Sequence, residues 1–133
     1  MIEAIICDIQ GVLIGNNRIN KDLINFLIGN KNKYGFLILY SNLSLKNIDN
    51  LKKTIPSFFS SVDKFYSYES VGYPKPNPKG FEKILKEFNL KPENVIFIDD
   101  REDNIETAKD LGFKVIHYKN FGEISILDSF LSQ

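Results

Sequence analysis

Polar residues follow the short apolar runs of this sequence, at the points where buried strands would end. They are Asp8, the pair Ser41-Asn42, Lys75 and the pair Asp99-Asp100. In an open parallel sheet, ligands bind beyond the carboxyl ends of the strands, so we expect these side chains to converge on one edge. Hard carboxylate oxygens bind Mg²⁺, whereas lysine and hydroxyl groups offset the charge of phosphate. Together these residues predict a magnesium and phosphate site.

Taken singly, most of these residues have an ordinary structural explanation. An aspartate at the end of a strand, such as Asp8, often caps a helix, and a lone lysine such as Lys75 is usually solvated. The adjacent carboxylates of Asp99 and Asp100 are more informative, because they repel one another unless a cation lies nearby. It is the combination, in this order along the chain, that favours a site.

The elements that must position these residues alternate between strand and helix. Apolar runs predict strands at residues 2–8, 36–41, 64–67, 95–99 and 114–118. The first, second and fourth runs are almost continuously apolar, as strands buried on both faces should be. This alternation predicts an α/β fold with a mostly parallel sheet. The length of 133 residues predicts one domain, residues 1–133, with a single sizeable core.

Helix signals separate the predicted strands. Asn77 followed by Pro78 predicts an N-cap with proline in the first helical position, and Asn89 would end that helix. Its apolar residues fall at the i, i+3, i+4, i+7 spacing of a helix: Phe81, Ile84, Leu85 and Phe88. Similar spacing predicts a helix after Asn20 and three more, which are marked by Ile48, Leu51 and Ile55 (stopped by Pro56), by Ile105, Ala108 and Leu111 (stopped by Gly112), and by Ile124, Leu127 and Leu131. Gly11, Gly15 and Asn16-Asn17 predict a tight turn and a small flap.

The composition excludes several functional classes. Seventeen basic residues balance 17 acidic ones, which argues against a general nucleic-acid binder or a polybasic membrane-surface protein. The single cysteine, Cys7, excludes an intrachain disulfide framework and a cysteine-rich zinc site. No apolar run approaches the roughly 18 residues of a membrane span. The first residues lack the basic start of a signal peptide. We therefore expect a soluble, cytoplasmic protein.

Four ordered motifs resemble those of the haloacid dehalogenase superfamily of phosphatases and related hydrolases, over nearly the whole chain. They are Cys7-Asp8-Ile9-Gln10-Gly11-Val12-Leu13, then Leu39-Tyr40-Ser41-Asn42, then Ser70-Val71-Gly72-Tyr73-Pro74-Lys75-Pro76-Asn77-Pro78, and Val95-Ile96-Phe97-Ile98-Asp99-Asp100 with Asn104 after it. The resemblance implies a three-layer Rossmann-like sandwich whose five-stranded sheet has the order 3-2-1-4-5. It also implies that Asp8 lies on the central strand.

The resemblance also implies a role for each site residue. Asp8 would be the nucleophile that takes the phosphoryl group, and Lys75 would offset the charge there. Ser41 and the amide of Asn42 would hold phosphate oxygens. The implied Mg²⁺ ligands are Asp8, Asp100 with Asp99 in support, and the backbone carbonyl of Gln10. The metal would neutralise the phosphate and bring it to the carboxylate.

Gln10 departs from the family's pattern. Phosphatases of the family carry a second aspartate at this position, which protonates the leaving group and then activates water. A glutamine amide does not titrate near neutral pH, and losing a general acid–base costs about 10²–10⁴ in rate. Three outcomes stay open: a slow phosphatase for good leaving groups, a long-lived aspartyl-phosphate, or a non-catalytic module that binds phosphate or a partner.

Two other readings fit the residues less well. Dehalogenases of the family also lack the second aspartate, but their usual replacement is aromatic and they do not need the acidic pair Asp99-Asp100. Receiver domains of two-component signalling place their paired acids after the first strand, where this chain has only Asp8. The sequence therefore favours phosphate chemistry.

The sequence has no room for a cap domain, since only about twenty residues separate Leu13 from Phe36. Uncapped members act on large substrates or oligomerise to cover the site. We therefore expect a phosphorylated substrate, small or macromolecular, and possible homo-oligomers. Glu102 and Asp103 fit a helix start better than a substitute acid. Structural roles are predicted for Cys7, His117 and the pair Phe58-Phe59.

Overall fold

The structure, a computed structural model, describes residues 1–15, 18–119 and 124–132. Asn16-Asn17, at the centre of the predicted flap, lie outside the described residues. The strands are β1 (Ala4–Cys7), β2 (Ile14–Gly15), β3 (Arg18–Ile19), β4 (Phe36–Ser41), β5 (Lys64–Ser67), β6 (Val95–Asp99) and β7 (Lys114–His117). The helices are α1 (Lys21–Gly29), α2 (Lys31–Tyr34), α3 (Leu45–Thr54), α4 (Pro56–Phe59), α5 (Tyr68–Val71), α6 (Pro78–Phe88), α7 (Glu102–Asp110) and α8 (Ile124–Leu131), with a 3₁₀ turn at Pro92–Asn94.

Five strands form one parallel sheet in the order β5-β4-β1-β6-β7. Numbered in chain order within that sheet, they give 3-2-1-4-5, which confirms the predicted α/β topology. The strand that leads to Asp8, β1, is central and pairs with β4 on one side and β6 on the other. The remaining strands, β2 and β3, form a separate antiparallel hairpin.

Alternate strand residues supply two hydrophobic clusters, one on each face of the sheet. Ile5, Leu37 and Ile96 belong to a cluster that includes residues of α1, α3 and α8. Ile6 and Phe97 belong to the other cluster, which includes residues of α6 and α7. The near-continuous apolar runs are explained by this arrangement, because both faces of the central strands are covered by helices.

The capping signals in the sequence are confirmed. The Asn20 side chain accepts a hydrogen bond from the Leu23 amide at the start of α1, and Asn77 accepts one from the Lys79 amide at the start of α6. Asn89 ends α6 in the left-handed conformation, with a φ of 53°. These polar residues satisfy backbone groups that a helix end leaves without partners.

The structure differs from the sequence prediction mainly at short elements. Three four-residue helices, α2, α4 and α5, were not predicted, because one helical turn is too short to show a hydrophobic period. The first strand begins at Ala4 rather than Ile2 and ends at Cys7, and the last ends at His117 rather than Tyr118. Pro56 does terminate the preceding helix, but it also begins α4.

A tight turn follows β1, as the glycines predicted. Gly11 has a φ of 85°, a conformation that favours glycine, and the hairpin pairs Ile14 with Ile19. Between β1 and β4, the described residues form only this hairpin and helices α1 and α2. No helix within the described ranges is long and apolar enough to cross a membrane.

Candidate active site

The carboxyl ends of the three central strands bring the predicted site residues to one edge of the sheet. Asp8 directly follows β1, Ser41 is the last residue of β4, and Asp99 is the last residue of β6. The parallel register pairs Cys7 with Ile98, so Asp8 and Asp99 stand side by side. The Asp8 amide donates a hydrogen bond to the Ile98 carbonyl over 2.9 Å, which fixes this alignment.

Lys75 lies at the centre of the site and is only 5% exposed. Its Nζ is 2.6 Å from Oδ2 of Asp99 and 3.1 Å from Oδ1 of Asp8, and it donates a hydrogen bond to the Tyr40 carbonyl over 2.9 Å. Burying a cation alone would be costly, and two carboxylates offset that cost here. The sequence predicted Lys75 in this place, but not that it would bridge two aspartates.

The side chain of Asn42 holds the loop that contains Lys75 in position through two hydrogen bonds. Its side-chain amide donates to the Lys75 carbonyl over 3.0 Å, and its side-chain oxygen accepts from the Lys75 amide over 2.9 Å. The sequence prediction gave Asn42 only a phosphate-binding backbone amide and missed this double contact. No pattern in the sequence signals it, because the contact joins residues 33 positions apart.

Asp8, Asp99 and Asp100 form a cluster in which one oxygen of each lies within 4.8 Å of the others. Asp99 is fully buried, and it accepts hydrogen bonds from the Arg101 amide over 3.0 Å and from Asn104 Nδ2 over 3.1 Å, besides its contact with Lys75. Asp100 is partly exposed. Three carboxylates face a single lysine, so the cluster carries excess negative charge.

Burial and mutual repulsion raise the pKa values of two of these carboxylates. Burial is the main cause for Asp8, and the charge of Asp99 adds to it, so that the pKa of Asp8 rises to about 7 although Lys75 acts in the opposite direction. Burial, followed by Asp99, also raises the pKa of Asp100. A divalent cation bound here would displace protons from these groups.

Asn104 contributes a further oxygen to the site. It is almost fully buried in α7, and its Oδ1 has no hydrogen-bond partner among the described residues, whereas its Nδ2 binds Asp99. A buried polar atom without a partner is uncommon and calls for a ligand or water. The site thus combines several carboxylate oxygens with an available amide oxygen, a donor set that fits Mg²⁺.

Gly11 leaves room for the Asp100 carboxylate. A Cβ atom built on Gly11 would overlap the carboxylate of Asp100, and its positive φ already favours glycine. The turn after β1 therefore brings backbone directly against an acidic group of the cluster. The glycine was predicted as a turn residue, but its contact with Asp100 was not visible in the sequence.

An open hollow of about 320 Å³ lies above the cluster. It is lined by Asp8, Gln10, Ser41, Asn42, Leu43, Lys75, Asp100, Arg101 and Asn104. Of the residues predicted for the site, all but the fully buried Asp99 line this hollow. Oγ of Ser41 accepts a hydrogen bond from the Leu43 amide over 3.1 Å, which leaves its hydroxyl proton for another acceptor. Gln10 is exposed at the edge of the hollow.

Other polar residues near the site have structural partners. Asp103 binds the guanidinium of Arg101 through two hydrogen bonds, and Glu102 and Asp103 occupy the first turn of α7. Nε2 of His117 lies 2.9 Å from the Asp100 carbonyl oxygen, so this ring braces the backbone of the acidic pair.

The predicted structural residues are buried. The Cys7 thiol donates a hydrogen bond to the Asp8 carbonyl, and burial raises its pKa well above the usual range. Phe58 and Phe59 pack in the core. These residues therefore fill the interior rather than the hollow.

The fold and the site define a Rossmann-like α/β protein with a carboxylate cluster and a buried lysine at the carboxyl edge of its parallel sheet. The chain belongs to the haloacid dehalogenase-like hydrolase family, whose model matches residues 2–112. This confirms the family that the four sequence motifs resemble. It also accounts for the order of the site residues along the chain.

Several curated proteins match part of the chain, and two of them are phosphatases of named sugar phosphates. A glyceraldehyde 3-phosphate phosphatase of Pyrococcus furiosus is 39% identical over 72 residues, covering 50% of this chain and 30% of that protein. A D-ribitol-5-phosphate phosphatase of Bacteroides thetaiotaomicron is 34% identical over 58 residues, covering 44% of this chain and 28% of that protein. The matches thus span less than a third of either relative's length.

Solved structures share the fold over most of the chain. A structure described as a predicted haloacid dehalogenase-like hydrolase of Porphyromonas gingivalis has a TM-score of 0.83 at 21% identity, covering 100% of this chain and 99% of that one. A haloacid dehalogenase family enzyme of Bacteroides thetaiotaomicron, solved with magnesium and inorganic phosphate, has a TM-score of 0.78 at 19% identity. The match covers 87% of this chain and 93% of that one.

Proposed function

We propose that the chain is a Mg²⁺-dependent phosphohydrolase that acts through an aspartyl-phosphate on Asp8 and is slowed by Gln10. The observation that carries the proposal is the contact of the Asp8 carboxylate with buried Lys75, beside a cluster of acidic oxygens. A carboxylate nucleophile needs a fixed orientation and a neighbouring positive charge to accept a phosphoryl group. Both are provided by residues of this chain.

The proposed reaction begins with the phosphate ester in the hollow above the cluster. The Ser41 hydroxyl donates to a phosphate oxygen, the charge of Lys75 offsets that of the phosphate and of Asp8, and the Ile9 amide holds Oδ1 of Asp8 over 2.8 Å. A carboxylate oxygen of Asp8 then forms a bond to phosphorus while the bond from phosphorus to the leaving oxygen breaks. Water subsequently attacks phosphorus, which releases inorganic phosphate and restores Asp8.

The residues that would hold the metal are Asp8, Asp100 and the backbone carbonyl of Gln10, with Asp99 in support. When bound, Mg²⁺ supplies charge neutralisation for the phosphate. Asp99 also has its own role in the proposal, since its hydrogen bonds to Lys75 and Asn104 fix the orientations of both side chains.

Gln10 is the reason for a slow rate. The leaving oxygen needs a proton and the attacking water must lose one, and an amide does neither. The expected loss is about 10²–10⁴ in rate, or ~3–5 kcal/mol of barrier. Esters with good leaving groups, such as aryl and acyl phosphates, need that proton least and are the expected substrates for residual activity.

The test is the hydrolysis of p-nitrophenyl phosphate, with and without Mg²⁺, by the wild type and by the variants Asp8→Asn and Gln10→Asp. We expect Mg²⁺-dependent turnover in the wild type and none in Asp8→Asn. Gln10→Asp should raise kcat by about 10²–10⁴ on esters with poor leaving groups, and by less on the aryl ester. Equal turnover in the wild type and Asp8→Asn would contradict the proposed nucleophile.

The second candidate is a weak or inactive module that binds phosphate or a partner. The observation in its favour is also Gln10, because the exposed edge of the hollow carries an amide where a proton carrier is needed. Such a module would bind inorganic phosphate in the presence of Mg²⁺ but turn over no ester. Turnover restored in Gln10→Asp alone would show an intact site that lost only its proton carrier.

The names of the curated relatives suggest phosphorylated small molecules as substrates, since one is a glyceraldehyde 3-phosphate phosphatase and another a D-ribitol-5-phosphate phosphatase. The hollow is open, which also suits a macromolecular phosphate or a homo-oligomer whose neighbouring subunit covers the site. We also propose that the protein is located in the cytoplasm.

A further inference from the structure

A second hollow, of about 370 Å³, opens beside the phosphate hollow. The described residues that line it are Ile9, Gln10, Ile14, Leu43, Asn47, Asn50 and Leu51. Gln10 and Leu43 line both hollows, so the two hollows are adjacent. Its volume is in the range of small-ligand sites, about 300–1,000 Å³.

The chemistry of this second hollow is neutral. Every described lining residue is uncharged. The segment after β1, together with β2, supplies Ile9, Ile14 and the Gln10 amide, Leu43 precedes α3, and α3 itself supplies Leu51 and two amides. Asn50 and Leu51 follow Asn47 by three and four residues, so both lie on the same face of that helix as Asn47. Ile9 is buried beneath them, and the two asparagines are exposed at the rim. An apolar floor with amide groups at its rim suits an organic group that carries hydroxyls or an aromatic ring.

A different kind of surface borders the phosphate hollow at Arg101. A shallow surface there is lined by Arg101, Glu102, Asp103 and Glu106, all of which are exposed. Its one cation, Arg101, already binds Asp103 through two hydrogen bonds of 3.1 Å. An exposed acidic surface gives little shelter to a leaving group and repels an anionic one.

In-line transfer requires the leaving oxygen to lie on the far side of phosphorus from Asp8. In the proposed reaction the residue at position 10 faces the leaving oxygen, and Gln10 lines both hollows. We propose that the second hollow binds the leaving group and that the preferred substrates are phosphate esters of an uncharged alcohol with an apolar face. This inference rests on the proposed phosphohydrolase function and names its substrate class.

The inference is tested by binding, which does not depend on turnover. Calorimetry in MgCl₂ compares inorganic phosphate with three phosphonates: phenylphosphonate (neutral side group), phosphonoacetate (anionic) and 2-aminoethylphosphonate (cationic). We expect phenylphosphonate to bind about tenfold more tightly than phosphonoacetate or 2-aminoethylphosphonate, the discrimination that an apolar pocket typically provides. Equal or tighter binding of 2-aminoethylphosphonate would overturn the inference in favour of the acidic surface.

Variants of Asn50 test whether the second hollow is responsible. Asn50→Lys should raise the affinity for phosphonoacetate relative to that for phenylphosphonate by about tenfold compared with the wild type. Asn50→Asp should lower the affinity for phosphonoacetate further. Asn32→Lys and Asn32→Asp make the same charge changes at an exposed residue of α2, away from the site, and should keep the wild-type order. An unchanged order in the Asn50 variants would overturn the inference.

The binding of inorganic phosphate distinguishes a failure of this inference from a failure of the proposed phosphohydrolase function. If the wild type binds inorganic phosphate but binds the three phosphonates equally well, the phosphate site stands and the proposed substrate class is wrong. Protein that binds neither inorganic phosphate nor any phosphonate in MgCl₂ would contradict the proposed function, and the inference would fall with it.

Discussion

Asp8 is buried beside another carboxylate, and its pKa of about 7 lies far above the ordinary value of 3.8. The folded protein therefore keeps a proton on Asp8 at pH values where the unfolded chain has lost it. The contribution of Asp8 to the free energy of unfolding then falls as the pH rises from about 4 through about 7, because the folded state holds the Asp8 proton in this window. Without metal, ionised Asp8 destabilises the fold at neutral pH.

The corresponding prediction concerns Asp8→Asn in EDTA. The variant should lose less stability than the wild type between about pH 5 and about pH 8, and should be more stable at the upper end by ~2–4 kcal/mol. Urea unfolding at several pH values measures this. Asp49→Asn, which removes an exposed carboxylate of α3, is the control and should follow the wild-type profile. A variant less stable than the wild type at pH 8 would contradict the burial argument.

At the scale of residues, the sequence predicted which side chains meet but not how they are held. Asp8, Ser41, Lys75 and Asp99 follow from strand ends and motif order, because both are written in the local sequence. The double hydrogen bond of Asn42 to the Lys75 backbone does not, since it depends on how a distant loop lies against β4. Other hydrogen bonds between residues that are distant in the sequence could not be predicted for the same reason.

At the scale of elements, the turn after β1 does more than reverse the chain. Gly11 combines a positive φ with direct contact between its backbone and the Asp100 carboxylate. Two other glycines allow the effect of a positive φ to be measured apart from the effect of the close contact. Gly72 has a φ of 89° with nothing within 4 Å of a built Cβ, and Gly29 ends α1 with the same open space and no positive φ.

We expect the three alanine variants to differ accordingly. Gly29→Ala should be neutral or stabilise by ~0.5–1 kcal/mol, and Gly72→Ala should cost ~1–2 kcal/mol for its left-handed backbone. Gly11→Ala should cost more than Gly72→Ala and should also weaken Mg²⁺ binding about tenfold, because Asp100 must move. Thermal unfolding and Mg²⁺ titration measure both effects. Mg²⁺ affinity in Gly11→Ala equal to that in Gly72→Ala would contradict the role of the contact.

The elements themselves were predictable where their signals are strong. The strands β4, β5 and β6 match their predicted bounds, and α6 begins and ends at its predicted caps. The four-residue helices α2, α4 and α5 were missed because a single turn shows no period, and tertiary contacts decide its conformation. The second hollow was also missed, since it lies between two elements whose separation the sequence does not encode.

At the scale of the whole molecule, a neutral chain concentrates negative charge at one end of its sheet. Seventeen acidic and 17 basic residues cancel overall, yet three carboxylates share one lysine where β1 and β6 end. A divalent cation that binds the folded state alone shifts the folding equilibrium by mass action. Mg²⁺ should therefore stabilise the protein even if it catalyses nothing.

The expected gain is about 2.7 kcal/mol at a Mg²⁺ concentration one hundred times Kd. Scanning calorimetry of EDTA-treated protein, with and without added MgCl₂, should show Tm rising by several degrees. Asp100→Asn should lose most of this response because it removes the most exposed carboxylate of the cluster. Asp103→Asn removes a carboxylate that binds Arg101 outside the cluster, so it should keep the response. Equal Tm values with and without Mg²⁺ in the wild type would contradict the metal site independently of any measurement of activity, because a cation that binds only the folded state must raise Tm.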